Sequence, residues 1–209
     1  MADLSALLGV IAALTVGVVS PGPSFVLVAR TAVSSSRSDG VAAAVGMGAG
    51  GVVFALAALL GLQGLLLAVP SVYLVLKVLG GLYLAYLGIR IWRSARQPLA
   101  VVGPTTDRTT KLKSLVLGFS TQVSNPKTAI VYASVFAAFM PATQSLAFDL
   151  ALVTLVFAIE TSWYSVVAMA LSSDRPRIAY LRHKARVDRI AGGVLVALGT
   201  KLASSAYRA

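Results

Sequence analysis

The chain contains no cysteine and a single histidine, His183. Disulfides, iron–sulfur clusters and thiolate zinc sites are thereby excluded, and one imidazole cannot build a multi-histidine metal centre. No cofactor or metal is expected. Acidic residues are scarce as well: 7 Asp and Glu stand against 18 Lys and Arg, a net charge of +11. Charged residues make up only 12% of the 209 positions, about half of the roughly 25% usual in a soluble domain. Too few polar side chains remain to cover a water-facing surface, so a soluble domain of this size is excluded.

What is there instead is apolar sequence in long runs. Residues 4–29, 41–76, 78–89, 128–148 and 161–173 carry no charge. A hydrocarbon core of about 30 Å needs about 20 helical residues. The runs predict an all-α membrane protein, one domain over 1–209, with six spans at 4–29, 41–62, 71–92, 113–139, 147–171 and 188–207. Met1-Ala2-Asp3 lacks a basic n-region, so the first run is expected to be a retained helix and not a signal peptide.

The basic residues then set orientation. Arg30 and Arg37 fall in the first loop, Arg90, Arg93, Arg96, Arg108, Lys111 and Lys113 in or beside the third, and Arg175, Arg177, Arg182, Lys184, Arg186 and Arg189 in or beside the fifth. All lie on one side of a six-span protein, which the positive-inside rule makes cytoplasmic, with both termini outside. Such charge is topogenic and lipid-facing, so nucleic acid is not an expected partner. His183 is expected to be a solvated loop residue, and Lys77 an anchor snorkelling to the outer interface.

Two spans are interrupted by proline. The first contains Ser20-Pro21-Gly22-Pro23-Ser24 and the fourth Ser124-Asn125-Pro126-Lys127-Thr128. Proline removes a backbone donor and clashes with the preceding turn, freeing polar backbone at membrane depth. Lipid cannot satisfy those groups, so they must be covered by protein or line a polar cavity. Helices broken at matching places in two halves point to a transporter's substrate site. Each break lies in the first helix of a three-span half, and an odd number of spans reverses the second half. The expected architecture is two inverted three-helix repeats, roughly 1–93 and 112–207, joined by a cytoplasmic linker at 94–111. The alternative is two unrelated kinks relieved by Ser and Thr side chains.

Ionisable residues at depth are few and therefore diagnostic. Lys127 and Glu160 both fall near the midplane of their spans. Either they pair, or Glu160 carries a coupling proton while Lys127 engages a carboxylate. Trp163 and Tyr164, at i+3 and i+4 from Glu160, supply an aromatic wall and a hydroxyl suited to a small zwitterion. Gly46 and Gly50 in the second span form a small-xxx-small pattern that admits close helix contact.

The break at Ser20-Pro21-Gly22-Pro23, the glycine-rich second span ending in Leu59-Leu60-Gly61-Leu62, the Lys77-Val78-Leu79-Gly80-Gly81-Leu82-Tyr83-Leu84-Ala85-Tyr86-Leu87-Gly88 stretch and the Asn125-Pro126-Lys127-Thr128-Ala129 break together resemble the lysine-exporter (LysE/RhtB) family of bacterial amino-acid efflux proteins. The resemblance covers nearly the whole chain. It implies a dimeric secondary transporter of the cell inner membrane, exporting amino acids or close derivatives by antiport driven by the proton-motive force. Carried over residue by residue, it implies that Pro21, Gly22, Pro23, Asn125, Pro126 and Lys127 shape the translocation path; with Ser20, Trp163 and Tyr164 they form the expected substrate-binding set, and Glu160 is the expected coupling residue. One departure stands out. Where many relatives carry a polar or acidic residue after the second-span glycines, this chain has Gly51, Val52, Val53 and Phe54, which leaves Glu160 as the carboxylate at depth and fits a less polar substrate.

Two other classes make different demands on the same residues. A passive pore for small polar solutes needs the same broken helices but no proton gradient. An enzyme needs a nucleophile with a base in reach, and lone His183 with no carboxylate dyad gives none, so catalysis is not expected.

Overall fold

The computed structural model describes residues 2–68, 70–97, 110–141 and 144–205, and these form eight helices and no strand. Their order is α1 (Ala2–Val19), α2 (Pro23–Ser34), α3 (Arg37–Ala68), α4 (Pro70–Ser94), α5 (Lys111–Val123), α6 (Pro126–Phe139), α7 (Leu146–Leu171) and α8 (Asp174–Ser205). Most of the expected linker, 98–109, lies outside the described residues, as does the side chain of Lys77.

Both proline motifs break their helices. Proline fits the first helical turn, where its missing N–H would have no partner anyway, and so starts a helix more readily than it continues one. Pro23 opens α2 behind an extended Gly22, and α1 and α2 are bent by 56°. Pro126 opens α6 behind Asn125, whose side chain accepts from the Lys127 amide and caps the helix. Among the described residues, two helical segments, Arg37–Gly61 and Leu146–Leu171, are long and apolar enough to cross a membrane alone, and the bent α1–α2 pair gives a third if it forms one span.

One expectation is corrected. Residues 172–187 do not form a loop: only Ser172 and Ser173 separate α7 from α8, and the basic segment is the first half of a 32-residue helix. Its charge is arranged by face. Lys184 and Asp188 are buried one turn apart, whereas Arg182, His183 and Arg186 are exposed.

Two apolar clusters hold the helices together. One joins Val10 and Leu14 of α1, Leu84 and Leu87 of α4, Val131, Tyr132 and Phe136 of α6, Leu152 and Val156 of α7, and Leu195 of α8. The other joins Phe25 and Val28 of α2, Ala43 and Met47 of α3, and Tyr164 and Ala168 of α7. Between them α3 closes on α5: a β-carbon at Gly46 would collide with the Leu115 carbonyl and lie 2.7 Å from the Phe119 amide nitrogen, so only glycine allows this approach. The seam between the two clusters is where the polar residues collect.

Candidate functional site

Along the buried face of α7, Val156, Glu160 and Tyr164 follow one another at single-turn spacing. Val156 belongs to the first apolar cluster and Tyr164 to the second, so Glu160 sits at their junction, 1% exposed. A carboxylate buried there must find donors within the protein. It finds two, on α5 and α6: Gln122 Nε2 and Tyr132 Oη each donate to Glu160 Oε1 at 2.9 Å. Room for this comes from α3, because a β-carbon on Gly51 would stand 2.9 Å from Tyr132 Oη and 3.2 Å from Glu160 Cγ.

The contacts continue as a directional chain linking the two breaks. Asn125 Nδ2 donates to Ser24 Oγ at 2.9 Å, and Ser24 Oγ donates to Gln122 Oε1 at 2.7 Å. Donation therefore runs from Asn125 through Ser24 and Gln122 to Glu160. Asn125 Oδ1 accepts from the Lys127 amide at 3.0 Å, and Lys127 Nζ crosses to the other break, donating to the Ser20 carbonyl at 2.6 Å. That carbonyl belongs to a residue stranded between α1 and α2, where the proline-bearing turn leaves it without a helical partner. Two buried oxygens in the cluster have no partner among the described residues: Glu160 Oε2 and Ser20 Oγ.

These groups enclose a cavity of about 20 Å³ bordered by Ser20, Gly22, Ser24, Asn125, Lys127, Tyr132, Glu160 and Tyr164, among others. That volume holds roughly one water molecule. A larger cavity of about 310 Å³ adjoins it, with Gly22, Asn125 and Lys127 common to both and Pro21, Pro23, Pro126 and Arg90 on its walls. A third, of about 180 Å³, shares Pro21, Gly22, Ile91 and Ser94 with the second and reaches Gln97, Lys184 and Asp188 at the end of the bundle where the arginines gather. A small inner chamber is thus followed by two larger cavities toward the basic end, which together form a vestibule.

The structure brings together Ser20, Gly22, Asn125, Lys127, Glu160 and Tyr164 around the inner chamber, and Pro21, Pro23 and Pro126 around the vestibule. Trp163 is not among these walls. It packs on the second apolar cluster, and its indole Nε1 is buried without a partner among the described residues. At about 100° per residue, i+3 falls about 60° from the Glu160 direction and i+4 about 40° on the other side, which separates Trp163 from Tyr164. Lys127 and Glu160 form no ion pair; each is held by other groups. Two members of the site carry no signal in the sequence read alone. Gln122 and Tyr132 are ordinary residues in apolar helices, and Ser24 is visible only as the end of the first proline motif; their roles arise from contacts 28 to 101 positions apart.

Chemically, Glu160 is half committed. Its Oε1 holds two donors, while Oε2 can take a proton or an ammonium group without dismantling the network. Lys127 supplies positive charge on the opposite wall, next to freed backbone. Among the described residues no group of three or more His, Asp or Glu is placed to hold a metal ion.

Comparison with known proteins places the chain in a family. A model of the LysE type translocator family matches residues 15–206. The threonine efflux protein of Salmonella typhi is 32% identical over 189 residues, spanning 90% of this chain and 92% of that protein. Its counterpart in Escherichia coli K12 is 30% identical over the same shares, and the leucine efflux protein of Enterobacter sp. strain 638 is 27% identical over 90% of each chain. No solved structure matches. With the family model covering nearly its full length and relatives aligned end to end, this chain belongs to the LysE type translocator family.

Proposed function

We propose that this protein is an amino-acid efflux transporter of the bacterial inner membrane, exporting neutral amino acids or close derivatives by proton-coupled alternating access. The observation that carries the reading is the meeting of two helix breaks around one chamber that offers a cation, Lys127, and a carboxylate with a free oxygen, Glu160. A zwitterion presents the complementary pair. Helix breaks that line a cavity are the usual place for such a site, and relatives named for threonine and leucine efflux support an amino-acid substrate.

In this reading the chain spans the membrane six times as two inverted repeats, with the basic end in the cytoplasm and both termini outside, and works as a dimer. The substrate enters the vestibule from the cytoplasm, its carboxylate meets Lys127 and the broken backbone, and its ammonium meets Glu160 Oε2. The inner chamber has room for about one water and not for an amino acid, so loading requires the α1–α2 break to swing away from α6. Protonation of Glu160 from outside removes the ammonium's partner, favouring release and return of the empty carrier.

The test is efflux of ¹⁴C-labelled threonine and leucine from preloaded cells with and without the protein. Selective loss of one amino acid, slowed when a protonophore collapses the proton gradient, supports the reading. Flux indifferent to the protonophore indicates the passive pore, and unchanged amino-acid pools overturn the transporter reading itself.

A further inference from the structure

The vestibule carries a second carboxylate that the chamber does not use. Asp188, on α8, is 3% exposed and borders the 180 Å³ cavity. Its Oδ2 accepts from Lys184 Nζ at 2.8 Å. Lys184 also donates to the carbonyls of Ala95 at 3.3 Å and Gln97 at 3.0 Å, at the C-terminal end of α4. An ammonium group has three donors, so the lysine is saturated. The carboxylate is not: Asp188 Oδ1 is buried with no partner among the described residues.

A buried ion pair that serves only to fix packing is costly unless both partners are fully satisfied. This one is complete on the cationic side and open on the anionic side. Asp188 and Lys184 both border a cavity that shares Pro21, Gly22, Ile91 and Ser94 with the one walled by Arg90 and Lys127. Acid on one wall and base on the other is again the pattern a zwitterion matches.

We propose that Asp188 is an outer subsite that captures the ammonium group of the amino acid in the vestibule, before the substrate passes Lys127 and reaches Glu160. The inference rests on the transporter reading above. Two carboxylates in series, one at the mouth and one at the chamber, hand the ammonium inward while the substrate carboxylate stays on Arg90 and then Lys127. Lys184 fastens α8 to the end of α4 through the Ala95 and Gln97 carbonyls.

The experiment is counterflow of ¹⁴C-threonine and ¹⁴C-leucine in proteoliposomes containing the full-length protein. Asp188→Asn is expected to raise the half-saturating concentration about tenfold, with the maximal rate within about twofold, the pattern of lost ground-state binding. Lys184→Gln, which leaves the carboxylate, is expected to stay within about threefold of wild type. The exchanged pair Lys184→Asp with Asp188→Lys keeps an ion pair but moves the acid, and is expected to bind as poorly as Asp188→Asn; it also serves if that variant fails to fold. Equal shifts in the Asp188→Asn and Lys184→Gln variants, recovery in the exchanged pair, or a fall in maximal rate alone overturns the subsite and leaves a packing pair. Wild-type protein that moves neither amino acid overturns the transporter reading, and this inference with it.

Discussion

The two helix breaks solve one problem in different ways. The second is self-sufficient: Asn125 caps α6 through the Lys127 amide, and the Ser124 amide still reaches the Ser120 carbonyl. The first has no side-chain cap at Gly22 and bends by 56°. Its stranded Ser20 carbonyl is satisfied by Lys127, and its Ser24 hydroxyl by Asn125 and Gln122, all from the other break. The α5–α6 junction is therefore the fixed jaw and the α1–α2 junction the dependent one. In the proposed mechanism, a substrate that competes for Lys127 or Asn125 would loosen the first break while leaving the second capped.

The comparison can be broken by removing what crosses between the jaws. Lys127→Ala withdraws a charged donor from a buried carbonyl, an interaction of about 1.5–3 kcal/mol. It should abolish efflux and lower the thermal midpoint of the detergent-solubilised protein. Near-normal efflux in this variant would show that the first break does not depend on the second.

Glu160→Gln comes next. Its side-chain oxygen still accepts from Gln122 and Tyr132, so stability should change by no more than about 1 kcal/mol. Efflux should drop about tenfold, because neither proton nor ammonium is held. A variant that melts early yet transports normally would make Glu160 a packing residue.

Asn125→Ala removes the α6 cap, about 1 kcal/mol, together with the bond to Ser24. It is the one substitution that injures both jaws, so a partial loss of efflux with a clear loss of stability is expected; unchanged melting would contradict the capping role. The smallest effect is expected from Gly51→Ala. The added methyl presses on Tyr132 Oη and should cost about 1 kcal/mol by overpacking, with efflux only modestly slowed. A loss larger than that of Asn125→Ala would mean that α3, not the α5–α6 junction, fixes the site.

Much of this was legible in the residues themselves. Proline inside an apolar run has one local meaning, so Pro21, Pro23 and Pro126 announced the breaks, and ionisable residues in such runs announced Lys127 and Glu160. The network around Glu160 was not legible, because Gln122, Tyr132 and Ser24 gain their meaning only when α2, α5, α6 and α7 pack. Asp188 was hidden for a different reason. The arginines of 175–189 suggest a hydrated loop, and only the fold reveals that Lys184 and Asp188 share the buried stripe of α8. Trp163 stands as the converse case, a suggestive neighbour of Glu160 turned by helical geometry into an apolar contact.

The central claim, that the two breaks frame the compartment an amino acid enters, is tested most directly by thiol protection. The natural chain has no cysteine, so a Ser20→Cys variant carries a single thiol, placed where the native hydroxyl makes no hydrogen bond among the described residues. Labelling of that thiol by a small methanethiosulfonate reagent should be slowed by threonine or leucine in proportion to occupancy, while a Leu60→Cys control on the 79% exposed apolar surface should be indifferent. Labelling at position 20 that neither amino acid slows at any concentration would contradict the claim.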